Sequence, residues 1–328
     1  IKNLRMNVRK LKNITNKINF GKSYITPKPT NDDLPPIYNI MLICGSKGSG
    51  KGVICNHYLQ LVEKSGYEMP NGDKVEQRII WCSGGTSKSK QNNILNELKY
   101  LDEEDRVDLN LDNPDKQLKE IYETILDERN LIEAYNIYRK VYKKYIRSKD
   151  LKDLTIDELT LLNFKNFISP VEDPDAPRTK SGKDLYHPRV IHLILDDLIG
   201  SDVFSNVKKG NWCNNISIKS RHDSDKLCPI NLIYLTQDFK KIPSVIRKQS
   251  DYFILLKNAN RTAIVEAIST EVGSIFSKEE LEKVYDQIMH IPYASLIISI
   301  HKNEKPENRL RLGWSQTIER DQKYVFNK

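Results

Sequence analysis

The chain has 328 residues and a mass of 38.1 kDa, enough for about two domains at ~150 residues each. Its 38% hydrophobic and 29% charged residues and mean hydropathy of -0.57 describe a chain that can bury a core. Its longest apolar runs, such as 296–300 (LIISI), fall far short of the ~20 residues that cross a bilayer.

The net charge of +8 is unevenly placed. Lys2, Arg5, Arg9, Lys10, Lys12, Lys17, Lys22 and Lys28 stand in the first 30 residues without one acid, while the remainder balances 44 bases against 44 acids. A cationic segment on a neutral body points to a polyanionic partner, with a solvated tail as the plain alternative. No charged-then-apolar leader opens the chain, so secretion is not expected. The five cysteines form no C-x-x-C pair and the six histidines no H-E-x-x-H. This argues for free thiols in a reducing compartment and against a protein-held zinc.

In chain order, residues 1–36 read as a basic arm and linker closed by Pro35-Pro36. The run 37–44 (IYNIMLIC), between prolines and a glycine-rich loop, predicts a buried strand. Helical spacing of Val53, Ile54, His57, Tyr58, Leu61 and Val62 predicts a helix over 51–66. A second strand is expected at 78–82 (RIIWC). Residues 87–185 are rich in charge and poor in strand signals and read as a mainly helical insertion. Within it, 115–148 predicts one long helix whose tyrosines (Tyr122, Tyr135, Tyr138, Tyr142, Tyr145) form a packing face rather than a base-stacking platform. Core strands resume at 190–195, 230–236 and 252–256. A helix with Ser277 and Glu280 as capping box follows, then strands at 293–300 and 309–314. Strands alternating with helices predict an α/β fold with a parallel sheet flanked by helices. The expected division is a core of 37–86 and 186–300, the insertion 87–185, and a C-terminal extension 301–328.

The strongest chemical signal is Gly45-Ser46-Lys47-Gly48-Ser49-Gly50-Lys51-Gly52, a G-x-x-x-x-G-K loop at a strand–helix junction. Glycines let backbone N–H groups point at phosphates, the helix N-terminus adds its dipole, and Lys51 reaches the β- and γ-phosphates. Gly52 departs from the pattern, because Ser or Thr there would supply a hydroxyl to Mg²⁺. The ion must instead be held by water, by Ser49 or by downstream carboxylates. The second signal is 191–197 (IHLILDD), an apolar strand ending in two acids. Asp196 would serve the metal and Asp197 the attacking water, with a turn or helix cap as the plain alternative. The third is Gln237, ending the next apolar strand, where a γ-phosphate or water is within reach if ligands bind at the carboxyl edge. The fourth is an arginine offered to a neighbour's site, for which Arg221 and Arg247 are candidates.

The order of a phosphate loop, a strand with Trp81, Asp196-Asp197, Arg221-His222, a strand ending in Gln237 and then 242–247 (IPSVIR) resembles the genome-packaging ATPases of large eukaryotic DNA viruses and virophages, members of the FtsK–HerA superfamily. The resemblance covers roughly 37–300 apart from the insertion. It implies an additional-strand P-loop NTPase fold, ATP with Mg²⁺, a homo-oligomeric ring, and movement of double-stranded DNA into a capsid. Vertex proteins of the capsid would be partners, and the host cytoplasm or virion the location. By position it implies phosphate binding by Lys51, Mg²⁺ at Asp196, water activation by Asp197, γ-phosphate sensing by Gln237 and a finger at Arg221 or Arg247. Two alternatives stand beside it. One is a non-hydrolysing nucleotide-dependent DNA-binding or assembly protein, motivated by Gly52. The other is a nucleotide-kinase-type phosphotransferase, since Gly-Lys-Gly also ends adenylate-kinase-type loops.

Overall fold

The computed structural model describes residues 2–18, 26–84, 95–110, 113–148, 150–183, 185, 188–198, 211–223 and 227–319. Its centre is β2 (Ile40–Cys44), in which all five residues are buried. Around it the nine-stranded sheet runs β11 (Gln316–Thr317), β10 (Leu310–Leu312), β9 (Leu296–Ser299), β8 (Tyr252–Leu255), β2, β7 (Ile230–Thr236), β6 (Arg189–Asp196), β4 (Glu76–Ser83), β5 (Leu101–Asp108). From β8 to β5 every pairing is parallel. β9, β10 and β11 are added antiparallel, so the sheet is mixed where the sequence predicts a parallel one. A separate two-stranded ribbon joins β1 (Lys28–Pro29) to β3 (Tyr67–Glu68). β7 lies between β2 and β6, so one extra strand separates the phosphate-loop strand from the Asp-Asp strand.

The central strands are continuous apolar runs because both faces are covered. Side chains alternate across the sheet. Met41 and Ile43 pack under α2 (Lys51–Lys64), with its Ile54, Cys55, Tyr58, Leu59 and Val62. Ile40, Leu42 and Cys44 face the opposite layer. That layer is built from the first half of α3 (Pro114–Arg147), α5 (Trp212–Asp223), α7 (Arg261–Val272) and α8 (Lys278–Met289). All five cysteines are buried and free.

The segment 87–185 is not wholly an insertion. Its residues 101–108 (LDEEDRVD) form the sheet's edge strand, parallel to β4. The acids hid it: only Leu101 and Asp105 are buried, and Asp105 accepts two hydrogen bonds from Arg78, at 2.7 and 2.9 Å. The first half of α3 also belongs to the core, through Leu118, Tyr122 and Ile125. Only its second half leaves the sheet. There Tyr135, Tyr138 and Val141 pack with α4 (Ile156–Phe164) in a separate apolar cluster. Tyr138, Tyr142, Tyr145 and Phe167 form a chain of ring contacts, so the tyrosine stripe is a packing face.

The N-terminal segment differs from a free arm. Residues 2–15 form α1 (Lys2–Thr15), whose Val8, Leu11 and Thr15 are buried at helical spacing. Arg5 meets Glu123 and Asp127 of α3, and Lys12 meets Asn130. The C-terminal extension likewise continues the core through β10 and β11. Trp314 stacks 5.2 Å from Tyr58 and donates to the Ile54 carbonyl.

Candidate phosphate-binding site at the carboxyl edge

The glycine loop joins the end of β2 to the start of α2. Gly48 and Gly50 take φ values of 76° and 98°, the left-handed region that glycine enters without penalty. At Gly45 the reason is space: a Cβ would stand 2.4 Å from Ser49 Oγ and 2.9 Å from Leu256 Cβ. Gly50 caps α2 without a side-chain hydrogen bond, and the first bond of the helix runs from Ile54 N–H to the Gly50 carbonyl. The leading N–H groups have no acceptor inside the helix and face the loop with the positive end of its dipole. This is a cradle for an anion.

Lys51 folds back over the loop and donates to the carbonyls of Gly45 and Ser46, at 2.9 and 3.1 Å. Partial burial lowers its pKa, and the negative charges of Asp197 and Asp196 oppose that shift. The two acids therefore act on the same space as the ammonium. Asp196 ends β6 and is buried. Asp197 follows at φ 51°, a left-handed bend that turns its side chain out of the strand, and its N–H bonds the Leu235 carbonyl. Gln237, leaving β7 next door, donates from Nε2 to both Asp197 oxygens at 3.1 and 3.2 Å. Lys51, Asp196, Asp197 and Gln237 thus share the carboxyl edge.

The loop after β8 was not singled out from the sequence, yet it braces both halves of the site. Ser46 N–H bonds the Lys257 carbonyl, and Ser46 Oγ accepts from Ala259 N–H at 3.0 Å. Asn258 donates to the Gln237 carbonyl at 3.3 Å. β8 runs parallel beside β2, so its end reaches the same edge, a neighbourhood that the sequence does not give.

Arg247 is held away from this edge. Arg247 lies in α6 (Ser244–Gln249), whose following residues Ser250 and Asp251 lead to the start of β2, where Asp251 bonds the Ile40 N–H. It pairs with Glu271 at 3.1 Å over the Phe239 ring. The α5 helix likewise returns to the start of β7, placing position 221 at the amino edge; the Arg221 side chain lies outside the described residues.

The residues fit a nucleoside triphosphate with a divalent cation. The Gly45 cradle has no room for a side chain, and Ser49 Oγ is buried without a hydrogen-bond partner. Among the described residues no group of three or more Asp, Glu, His or Cys forms a metal cage. A cation here would take carboxylate, phosphate and water oxygens, as Mg²⁺ commonly does. Lys47, Gly48, Ser49 and Gly50 belong to the loop between β2 and α2, and Lys51 and Gly52 open α2.

No protein-family model matches the chain, and none of the curated proteins does. Among solved structures it is similar to the genome packaging NTPase B204 from Sulfolobus turreted icosahedral virus 2 in complex with AMPPCP. That match has 15% identity, 84% of this chain and 96% of that one covered, and a TM-score of 0.42. It is also similar to the cytoplasmic domain of the Type VII secretion ATPase EccC of Thermomonospora curvata (11% identity, 85% and 27% covered, TM-score 0.40). EssC ATPases 2 and 3 from Geobacillus thermodenitrificans match at 12% identity, 85% and 38% covered, with a TM-score of 0.36. At these values the likeness assigns no residue a role.

Proposed function

We propose that this chain is an ATP-hydrolysing motor that moves double-stranded DNA, packaging a viral genome into its capsid as a homo-oligomeric ring. The observation that carries the hydrolytic part is the convergence of Lys51, Asp196, Asp197 and Gln237 at one sheet edge beside an uncapped helix N-terminus. Sequence order carries the DNA-moving part. In this reading the loop N–H groups and Lys51 bind the phosphates, and Asp196 with Ser49 would hold Mg²⁺, which neutralises phosphate charge when bound. Asp197 accepts a proton from the attacking water, and Gln237 fixes the rotamer of Asp197 so that the carboxylate faces that water. Arg247 is tied to Glu271, so a finger role for it requires that pair to open in the assembled ring; Arg221 is the other candidate. The proposed ATPase core is 37–86 and 186–300, with 1–36, 87–185 and 301–328 as its appendages. β5, α3 and β10 tie those appendages into its layers. Capsid vertex proteins are the proposed docking partners, in the host cytoplasm or virion.

The test is steady-state ATP hydrolysis with and without long double-stranded DNA, beside Lys51→Ala and Asp197→Asn. DNA-stimulated turnover lost in both variants supports the motor. Gly52 favours a second reading, a nucleotide-dependent DNA-binding or assembly protein. Tight ATP binding without turnover, with or without DNA, selects it.

A further inference from the structure

The carboxyl edge continues past the phosphate loop. Cys44, Leu255 and Leu296 are ladder partners across β2, β8 and β9. The segment 290–295, which leads into β9, therefore rises at the same edge as the glycine loop. Two ladder spacings separate them, about 10 Å. On the other side of β2 the same row runs through Thr236 and Leu235 to Asp196. The phosphate loop thus has the acids and Gln237 on one flank and segment 290–295 on the other. Two fastenings hold the second flank in place. Tyr285 of α8 donates to the Leu256 carbonyl at 3.1 Å, and Arg261 at the start of α7 grips Asp286 of α8 through two hydrogen bonds of 2.5 and 2.6 Å.

Tyr293 is out of keeping with the backbone that carries it. Ala294 N–H bonds the Ile291 carbonyl at 3.2 Å, closing a four-residue turn with Pro292 second and Tyr293 third. Tyr293 has φ 58°. A turn with proline second and a left-handed third residue calls for glycine or asparagine there, and a bulky side chain at that φ is strained. Tyr293 is also 85% exposed, close in sequence to Ile291 at 48%. Neither the turn nor the core gains from an aromatic ring at this place. Strained residues of this kind cluster at ligand clamps. A second one at this edge is Asp197, at φ 51°.

We infer that Tyr293, with Ile291, is the platform on which the base of the bound nucleoside triphosphate stacks. The inference rests on the nucleotide-hydrolysing reading above and deepens it. With the γ-phosphate against Asp197 and Gln237, the nucleoside end of the ligand leaves the cradle on the opposite flank, over the ends of β8 and β9. Two ladder spacings match the reach from a β-phosphate to the base. An aromatic ring beside a branched aliphatic side chain offers an apolar surface to the face of a base. Every base has such a face. The contact therefore separates a nucleotide from a bare polyphosphate rather than one base from another.

The test is equilibrium binding of ATP and of inorganic tripolyphosphate to the full chain with Mg²⁺ present, measured by calorimetry. Wild type is compared with Tyr293→Ala, Tyr293→Phe and the control Ile156→Ala, at an apolar residue of α4 that is 83% exposed. Tyr293→Ala is expected to weaken ATP by about 5–100-fold, the range that one base–aromatic stack carries, and to leave tripolyphosphate unchanged. Tyr293→Phe keeps the ATP affinity, because the ring rather than the hydroxyl stacks, and Ile156→Ala changes neither ligand. In turnover the Tyr293→Ala loss falls on KM with kcat kept, since a base remote from the reacting phosphorus is held alike in ground and transition states. Unchanged ATP affinity in Tyr293→Ala overturns this inference and leaves the phosphate site standing. Equal losses of ATP and tripolyphosphate also overturn it, by showing a distorted phosphate loop instead of a lost stack. A wild-type chain that binds neither ligand overturns the hydrolytic reading and this platform together.

Discussion

The side-chain amide of Gln237 donates to both carboxylate oxygens of Asp197, across the ends of the neighbouring strands β7 and β6. A carboxylate held on both oxygens keeps one rotamer, which is what a general base needs to meet a water in line with its phosphate. Asp197→Asn is expected to lower ATP turnover by about 10²–10⁴-fold and to leave nucleotide affinity within a fewfold. Gln237→Ala is expected to lower it by about 10²-fold through misplacement of the base. Because the pair acts as one unit, the double variant should be no slower than Asp197→Asn alone. Multiplying losses would show that Gln237 acts apart from Asp197.

Lys51 answers to binding rather than to folding. Its ammonium is satisfied by two loop carbonyls, and both bonds must yield when phosphates arrive. ATP at about 100 times its Kd should stabilise the wild-type chain by about 2.7 kcal/mol. In Lys51→Ala that shift should vanish at the same concentration while the ligand-free melting temperature stays close to wild type. A ligand-dependent shift that survives in Lys51→Ala would place the phosphates elsewhere.

How much of this was legible in the sequence depends on what each residue has to bury. β2, β6 and β7 bury every residue or nearly so, which makes them plain apolar runs. The acids and Gln237 then followed from where such strands end. β5 is illegible for the opposite reason: an edge strand needs one good face and one ladder, and its exposed side chains, Glu103, Glu104 and Asp108, are all acids. α1 reads as an arm because its cations outweigh a buried stripe of only two apolar residues, Val8 and Leu11, continued by the hydroxyl-bearing Thr15, too short to signal a docked helix. The Arg247–Glu271 pair joins residues 24 positions apart on different helices, and no local spacing announces it.

His192 should make the fold acid-sensitive. It lies fully buried in β6, between Tyr58 Oη at 3.1 Å and Gln77 Oε1 at 3.0 Å, and burial lowers its pKa to about 3 from 6.5. The folded chain binds this proton less readily than the unfolded chain. The contribution is therefore complete above pH 6.5 and is lost as pH falls from 6.5 towards 3. The loss should approach about 1.4 kcal/mol per pH unit below 6. Urea unfolding at pH 7.5 and 5.5 reads it, and His192→Gln, which cannot titrate, should flatten the difference. An equally steep loss in His192→Gln would assign the acid sensitivity to the carboxylates.

Ser49 and Gly52 together decide how a cation is held. The loop lacks a hydroxyl at position 52, yet the Ser49 hydroxyl is buried without a partner beside Gly45. A buried hydroxyl left unpaired costs about 1–3 kcal/mol, a cost that a cation or phosphate oxygen in the loop would relieve. Ser49→Ala should leave the fold at least as stable, because it removes an unsatisfied polar atom. It should also raise the Mg²⁺ concentration needed for half-maximal turnover by about tenfold, the low end of what losing even a group that only supports a metal ligand costs. Gly52→Ser, introduced into Ser49→Ala, restores a hydroxyl one residue past Lys51 and should recover most of that loss. If Ser49→Ala leaves the Mg²⁺ dependence untouched, the cation is held by Asp196 and water alone, and the orphaned hydroxyl serves the phosphates directly.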